Sequence, residues 1–480
     1  MSDAHRRSCA QRQYFPCHKC MLTTEKFGAT KNLQSHGGKL MFGYFNVGTG
    51  LIMARKRLFS VMSVQSKGPT EPSKVPDYTN WTKKQLLKKI LELEGREDEI
   101  EETPLQVVRP PKESTELDFS KYHSRKIALR FSYLGWNYQG LAVQREATTL
   151  PTVEFEILKA LHRTKMIKSL TPSDCDFSRC GRTDKGVSAM NQVISLRVRS
   201  KLDPEEQKDP LNDPKELDYV NILNKIVPDD IKFHAICLRP PEGFDARFSC
   251  IGRHYKYIFE GEGLDIELMR KAAKKFEGVH DFRNFCKVDG AKQITNFVRN
   301  VFSAEILELK GHDNLYVFDL KGKAFLWHQV RCMMAILFQV GQKLENDSII
   351  DYLLDIEKCP RKPLYNMAHD IPLVLYDCTF PEMEWIDSAE GIKGMRSSSR
   401  LKALNHDYRL KNLISDFQTE ISIKHSLSVS PGIVCENVGD GLGAFLRKYT
   451  PMKDRSTSKS PEELNEAWRL KKGDKEDSDE

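Results

Sequence analysis

Eleven consecutive residues, Arg179-Cys-Gly-Arg-Thr-Asp-Lys-Gly-Val-Ser-Ala189, hold the densest set of groups able to do chemistry. Gly181 and Gly186 frame a tight loop that presents Asp184 between Arg182 and Lys185. Cations beside a carboxylate favour its ionised form, so the loop predicts an Asp184 anion at neutral pH. Such an anion suits attack on an electron-poor sugar carbon. It suits equally the removal of a proton, or a structural ion pair, and the loop by itself does not choose among the three.

The elements that must position this loop begin at Lys126. Ile127 to Tyr133 alternates as a strand, with Gly135 and Gly140 marking the turn after it. Thr152 to Ile167 has helical periodicity, Asn191 to Val198 predicts a strand, and Tyr219 to Val227 a helix stopped by Pro228. A charged loop punctuated by proline separates these last two, from Ser200 to Glu216. Further strands are expected near Ile231–Leu238, His254–Phe259, Val301–Leu309, Tyr316–Gly322 and Leu373–Phe380. Helices are expected near Asp265–Glu277, His328–Gln342 and Asp347–Ile356. Several neighbouring strands are joined by short connections, which predicts an α+β domain on a mostly antiparallel sheet.

The sequence divides into a disordered basic leader at 1–78, an amphipathic helix at 79–103 and a linker at 104–125. A domain follows with an N-terminal half at 126–260, carrying the Asp loop, and a C-terminal half at 261–385. Residues 386–480 form an extension whose last twenty are expected to be a disordered charged tail. In the amphipathic helix, Thr82 and Gln85 form a capping-box pattern and Leu86, Ile90 and Leu93 share one face. The net charge of +7 in 480 residues is a mild basic excess, compatible with an anionic partner. Twelve scattered cysteines suggest reduced, buried thiols in an intracellular protein. The most apolar helical stretch, Cys332 to Gly341, is about half of the roughly 20 residues a membrane span requires.

Six segments, in order, carry a family resemblance. G-R-T-D-x-G-V-S-A strongly resembles the catalytic motif of TruA-type pseudouridine synthases, in which the Asp is essential. Tyr133 to Gln144, Phe244 to Tyr257, His280 to Cys286, Phe325 to Met334 and Pro372 to Asp377 are similar to other segments of that family. The similarity covers roughly Lys126 to Phe380. Phe282 to Lys287, Val330 to Phe338 and Lys448 to Arg455 resemble the eukaryotic branch acting on nucleotides 38 and 39 of the tRNA anticodon arm. The resemblance implies the pseudouridine synthase fold, two α+β halves sharing a mostly antiparallel central sheet, with a basic cleft between them and Asp184 at its floor. It also implies a homodimer that holds tRNA across both subunits.

The resemblance gives roles to the neighbours of Asp184. Tyr255 would pack its ring on the target uracil and could assist proton removal, whereas Tyr257 is expected to be a half-buried sheet residue. Arg331 would pair with Asp184, holding it ionised and oriented, and Arg182 would bind phosphate or the displaced base. Arg247, Arg253, Lys256, Lys321 and Lys323 are candidates for a basic surface. The isomerisation needs neither redox chemistry nor external energy. No cofactor and no metal are expected, and no Walker loop or dinucleotide fingerprint is present in the sequence. Whether Asp184 attacks C1′ or abstracts the 2′ proton stays open, since both begin from the anion.

Two other functions fit parts of the sequence: a non-catalytic tRNA-binding or chaperone protein on the same fold, and a zinc-dependent interaction protein using Cys17 and Cys20. The expected compartment is nucleus or cytoplasm, although the acid-poor basic leader also has the character of a mitochondrial presequence. Leader composition cannot bury enough apolar surface to offset ordering of the chain. Removing residues 1–78 should therefore leave turnover on purified tRNA intact. A large fall in turnover, rather than in affinity, would show that the domain begins earlier.

Overall fold

The computed structural model describes residues 117–144, 146–387, 391–423, 434–441 and 443–476, together with Lys89, Glu92 and Leu93. The basic leader, the Cys17/Cys20 pair and the linker up to residue 116 lie outside the described residues. So does the 79–103 helix, apart from those three positions, which are helical.

One sheet organises residues 111–480. Its strands are β1 (His123–Tyr133), β2 (Ser178–Arg179), β3 (Ser188–Ser200), β4 (Ile231–Cys237), β5 (Gly252–Glu260), β6 (Gly278–Asp281), β7 (Val298–Glu308), β8 (Leu315–Gly322), β9 (Leu373–Thr379) and β10 (Ile386–Asp387). They run in the order β10-β4-β1-β3-β9-β5-β8-β7-β6, with β2 added beside β3. Every pairing is antiparallel except β3–β9, which is parallel over Ser188–Val374 and Ala189–Leu375. The fold is α+β with a mostly antiparallel central sheet, as its strand spacing implies. The parallel pair is the seam between the two sets of strands.

Helices cover the sheet. In α1 (Val153–Arg163), Thr152 caps the N-terminus by accepting from Phe155 N, and Val153, Ile157, Leu158 and Leu161 are buried. After α2 (Tyr219–Leu223) and α3 (Ile266–Lys274) comes α4 (Gln329–Gly341), buried along its length apart from Arg331. A helix apolar all round must lie inside the domain. Phe338 of α4 sets its ring edge against Tyr257 and Phe259 of β5, at centroid distances of 6.2 and 5.6 Å. Tyr257 is fully rather than half buried, and its hydroxyl donates to His369 O. α5 (Ser348–Leu354) follows. Among the described cysteines none is disulfide-bonded, and all but Cys435 are buried. No described helix is long and apolar enough to cross a membrane.

Two expectations need correction. The division at 260/261 puts β5 in the wrong half: β5 pairs with β8 and β9, so the strand sets separate between Cys237 and Gly252. Strand membership is decided by distant partners, which local alternation does not reveal. In the 386–480 extension, the described residues form further elements. β10 returns to the far edge beside β4, α6 (Gly391–Ile423) is a long exposed helix, and β11 (Val434–Glu436) pairs with β12 (Ala444–Leu446). Finally, most of the expected disordered tail is α7 (Pro461–Glu476). Gln293 donates to Asn465 O and Asn465 to Ile294 O, each at 3.0 Å, while Glu462 and Glu463 pair with Arg283 and Arg361. Named polar bonds hold this helix, so its charged composition gave the wrong signal.

The Ser200–Glu216 loop has a comparable role. Glu216 closes it over Arg125 of β1 in an ion pair of 3.2 Å, with both side chains almost wholly buried. Arg125 also donates to Leu238 O and Gln207 O. Glu216→Ala would strand a buried guanidinium, a change that typically costs about 3–5 kcal/mol. The low end is expected here because Asp213 lies 3.7 Å from Arg125. Urea denaturation should show that loss, and the apolar double variant Arg125→Met/Glu216→Leu should recover most of it. A Glu216→Ala protein as stable as the parent would remove this loop from the energetics of the fold.

Candidate active site

The loop between β2 and β3 is held in place by backbone. Cys180 N donates to Val193 O at 2.8 Å, and the Gln192 amide donates to Gly181 O at 3.1 Å. From the other side comes the turn after β1. Leu141 N donates to Thr183 O, Gly186 N to Tyr138 O, and Gly135 N to Ser188 Oγ, while the Tyr133 hydroxyl meets Thr183 Oγ1 at 2.7 Å. This approach explains two glycines. A Cβ on Gly135 would sit 2.1 Å from Val187 O, and one on Gly140, at φ +91°, would sit 2.6 Å from Thr183 O.

Asp184 projects from this loop toward the segment leading into α4. Trp327 Nε1 donates to its Oδ1 at 3.0 Å, and His328 Nε2 lies 3.5 Å from its Oδ2. Burial pushes the carboxyl pKa up, and Asp370 adds to the rise. Arg331, the Trp327 hydrogen bond and Lys292 pull it down without cancelling the rise. The expectation that Arg182 and Lys185 set the charge of Asp184 is thereby corrected. Both are exposed on the wall of the cavity that holds Asp184, and the cations that lower its pKa, Arg331 and Lys292, come from the other strand set.

The expected Arg331–Asp184 ion pair is also absent. Arg331 Nε donates to Ala368 O at 2.7 Å, and its charge reaches the carboxylate only across a longer gap. His328 is not a substitute cation. Burial and the charges of Arg331, Lys287, Lys362 and Lys292 depress its imidazole to about 4, so it is neutral at physiological pH.

A cavity of about 820 Å³ opens over Asp184. Among the described residues its wall carries Arg179, Arg182, Lys185, Arg247, Arg253, Lys292 and Arg299 against a single carboxylate, Asp184. Tyr255 lines the same wall, with its ring edge-on to Phe325 at 5.1 Å. Burial raises its hydroxyl far above the usual phenol value, so it stays protonated. Arg182 is exposed on the wall and has no ion pair or hydrogen bond among the described residues. Arg253 is committed to structure, donating to Cys180 O and Lys323 O. Lys256, Lys321 and Lys323 do not line the cavity, and the first two lie beside Asp319.

The structure thus gathers Asp184, Tyr255 and Arg182 around one space, with Arg331 behind it. Sequence reasoning missed Trp327, His328, Lys292 and Arg299. The first two lie inside the Phe325–Met334 segment, where neighbourhood to Arg331 was the available signal. Lys292 and Arg299 lie in no quoted segment. Lys292 and Lys287 approach the Trp327 ring at 4.5 and 4.9 Å, a cation–π arrangement that spacing does not reveal. A basic wall, an aromatic face and one carboxylate suit a nucleic acid that inserts one base.

The family model described as tRNA pseudouridine synthase matches residues 272–381. A Saccharomyces cerevisiae protein named tRNA pseudouridine(38/39) synthase is 49% identical over 439 residues, covering 88% of this chain and 98% of its own. The Homo sapiens protein of the same name is 40% identical, over 70% of this chain and 75% of its own. A Methanococcoides burtonii protein named tRNA pseudouridine synthase A is 31% identical, over 56% of this chain and 89% of its own.

The raised pKa of Asp184 has a consequence for stability. A carboxyl whose folded pKa lies above its unfolded value contributes favourably below the unfolded pKa, and that contribution is lost as pH rises through the folded one. At pH 7 the ionised side chain therefore weighs against folding. Asp184→Asn should raise the thermal midpoint at pH 7, with the gain fading as pH falls toward the ordinary value of 3.8. Melting curves across pH check this; a variant no more stable than the parent at pH 7 would refute it.

Proposed function

The chain belongs to the tRNA pseudouridine synthase family, and on that premise we propose that it isomerises uridine to pseudouridine at positions 38 and 39 of the tRNA anticodon arm, with Asp184 as the reacting carboxylate. The observation that carries the assignment of Asp184 is its place as the single carboxylate in a cavity wall bearing seven cations. The N1–C1′ bond breaks, the uracil turns, and a C5–C1′ bond forms. The C5 proton leaves and a proton is taken up at N1, so no redox partner enters. Attack on C1′ and removal of the 2′ proton both use the Asp184 anion.

The neighbours support this role in different ways. Tyr255 offers a ring on which an extruded uracil can stack, worth about 1–3 kcal/mol per base. Its strongly raised pKa favours stacking over proton abstraction, because the phenolate is disfavoured. Arg182, with its charge unpaired on the wall, suits phosphate or the displaced base. Arg331 acts on Asp184 through its field. The non-catalytic reading gains nothing from a half-buried carboxylate on a cavity wall with a raised pKa. From the family resemblance we extend the reading to a homodimer holding tRNA across both subunits, located in the nucleus or cytoplasm.

Asp184→Asn separates chemistry from binding. An amide can neither attack C1′ nor accept the proton, so tritium release from C5-labelled tRNA should fall to background. Filter binding of the same tRNA should change little. It should weaken steeply with salt for both proteins, because phosphate contacts release counterions. Release at the wild-type rate from Asp184→Asn would overturn the assignment of Asp184, and absence of release from the wild type on any tRNA would overturn the reaction.

A further inference from the structure

His328 carries two features that a passive residue would shed. Its backbone is left-handed, at φ +62°, although it has a side chain. It stands at the N-cap of α4 without making a side-chain capping bond. Its imidazole is nearly buried, and Nδ1 has no hydrogen-bond partner. Backbone strain and an unsatisfied buried nitrogen persist where surrounding structure enforces them, and such outliers cluster at functional sites.

The orientation of the ring explains both features. Nε2 faces Asp184 Oδ2 at 3.5 Å, and that oxygen is an acceptor. A neutral imidazole can meet it only with the proton on Nε2, which leaves Nδ1 as the bare nitrogen. Trp327, whose ring lies 4.6 Å from that of His328, meets the other carboxylate oxygen with its indole N–H. Both donors are uncharged. Arg331, the group that could neutralise the carboxylate, is turned to Ala368 O.

We propose that His328 is a positioning residue for the isomerisation, its Nε2 aimed at Asp184 Oδ2 at 3.5 Å while Trp327 donates to Oδ1, so that the carboxylate is fixed in rotation. The inference rests on the reading of Asp184 as the reacting carboxylate. Two neutral donors leave an oxygen that is both aimed and reactive. The contact of 3.5 Å is one that substrate closure can shorten, as catalytic hydrogen bonds commonly do.

The test uses the full chain on tRNA, with His328→Leu, His328→Gln and His328→Gly. Leu fills the space without a donor, Gln returns an N–H near the Nε2 position, and Gly suits the left-handed backbone while deleting the ring. His328→Leu and His328→Gly should lower kcat by about ten- to a hundredfold, the usual effect of a small misplacement, with KM nearly unchanged. His328→Gln should recover most of kcat. The acidic limb of the kcat–pH profile should move toward neutrality in Leu and Gly and stay in place in Gln. Arg331, Lys292, Trp327 and Asp370, the other groups acting on Asp184, are the same in all three. Wild-type kcat in His328→Leu, or equal impairment of Leu and Gln with an unmoved limb, would overturn the inference. Asp184→Asn in the same assay keeps the two ideas apart: wild-type turnover there would sink the reading of Asp184, whereas an inactive Asp184→Asn beside a fully active His328→Leu would sink the role of His328 alone.

Discussion

Two residue pairs join the halves of the sheet, Ser188 with Val374 and Ala189 with Leu375, and they begin just past Asp184. The placement of the site depends on this parallel seam. Asp184 leaves the first strand set at the point where that set meets the second, so its carboxylate can be met by side chains carried from the other side. Trp327, His328 and Arg331 stand at or near the start of α4, which packs on β5 through Phe338. Both sets also break register beside the cavity: β1 between Phe131 and Tyr133, and β5 between His254 and Tyr255. Bulges of this kind re-aim side chains next to active sites. Here they fall at Tyr133, which holds the Asp loop through Thr183, and at Tyr255, which lines the cavity.

The electrostatics follow from that placement. A carboxylate at the seam loses water, and desolvation is the largest influence on it. An ion-pair contact would oppose that rise more strongly, since an adjacent cation favours the anion. The structure instead keeps its cations at a remove, with Arg331 on a carbonyl and Lys292 over the Trp327 ring. The field favours the anion without an ion-pair contact. Lys292 is also part of the positive wall of the cavity, so this charge, which supports Asp184 from a distance, is available to an incoming phosphate chain. Its binding would bring negative charge near the carboxylate, and this raises the value of hydrogen bonds that hold Asp184 in place independently of charge.

How much of this was legible depends on whether the signal is local. The alternation from Ile127 to Tyr133, the capped stripe of α1 and the paired glycines around Asp184 are written in neighbouring residues, and those elements lie where their patterns put them. The half to which β5 belongs is not local, because it depends on pairing with β8 and β9. The tail helix misleads for another reason: α7 is held by Asn465, Glu462 and Glu463 acting on residues far away in sequence, while its composition is that of a solvated segment. In the site, Arg182 and Lys185 adjoin Asp184 in sequence and share its cavity wall, yet neither is among the main charges acting on it. Trp327 and His328, distant in the chain, are what the carboxylate meets, and Arg331 and Lys292 act on it from further off. Charge arguments from sequence neighbours fail when desolvation and cations from distant segments outweigh the exposed charges next in the chain.

The geometry around Asp184 also depends on residues that never reach the cavity. Trp327 and His328 sit ahead of α4, so any tilt of that helix would move both donors relative to the carboxylate. Ring contacts with Tyr257 and Phe259 fix one face of α4. Its C-terminal end is fixed by the segment after β12: the Tyr449 hydroxyl lies 3.0 Å from Gln339 and 2.7 Å from Glu345, Met452 is fully buried, and Arg455 pairs with Glu436 at 3.3 Å. None of these residues lines the cavity. The Lys448–Arg455 segment therefore belongs with the catalytic domain in function as well as in resemblance, since it holds the far end of the helix whose near end presents the donors. A helix buried all round has no solvated face along which to slide, and clamping both its ends converts the packing of the second strand set into a fixed position for the groups that hold one carboxylate at the seam.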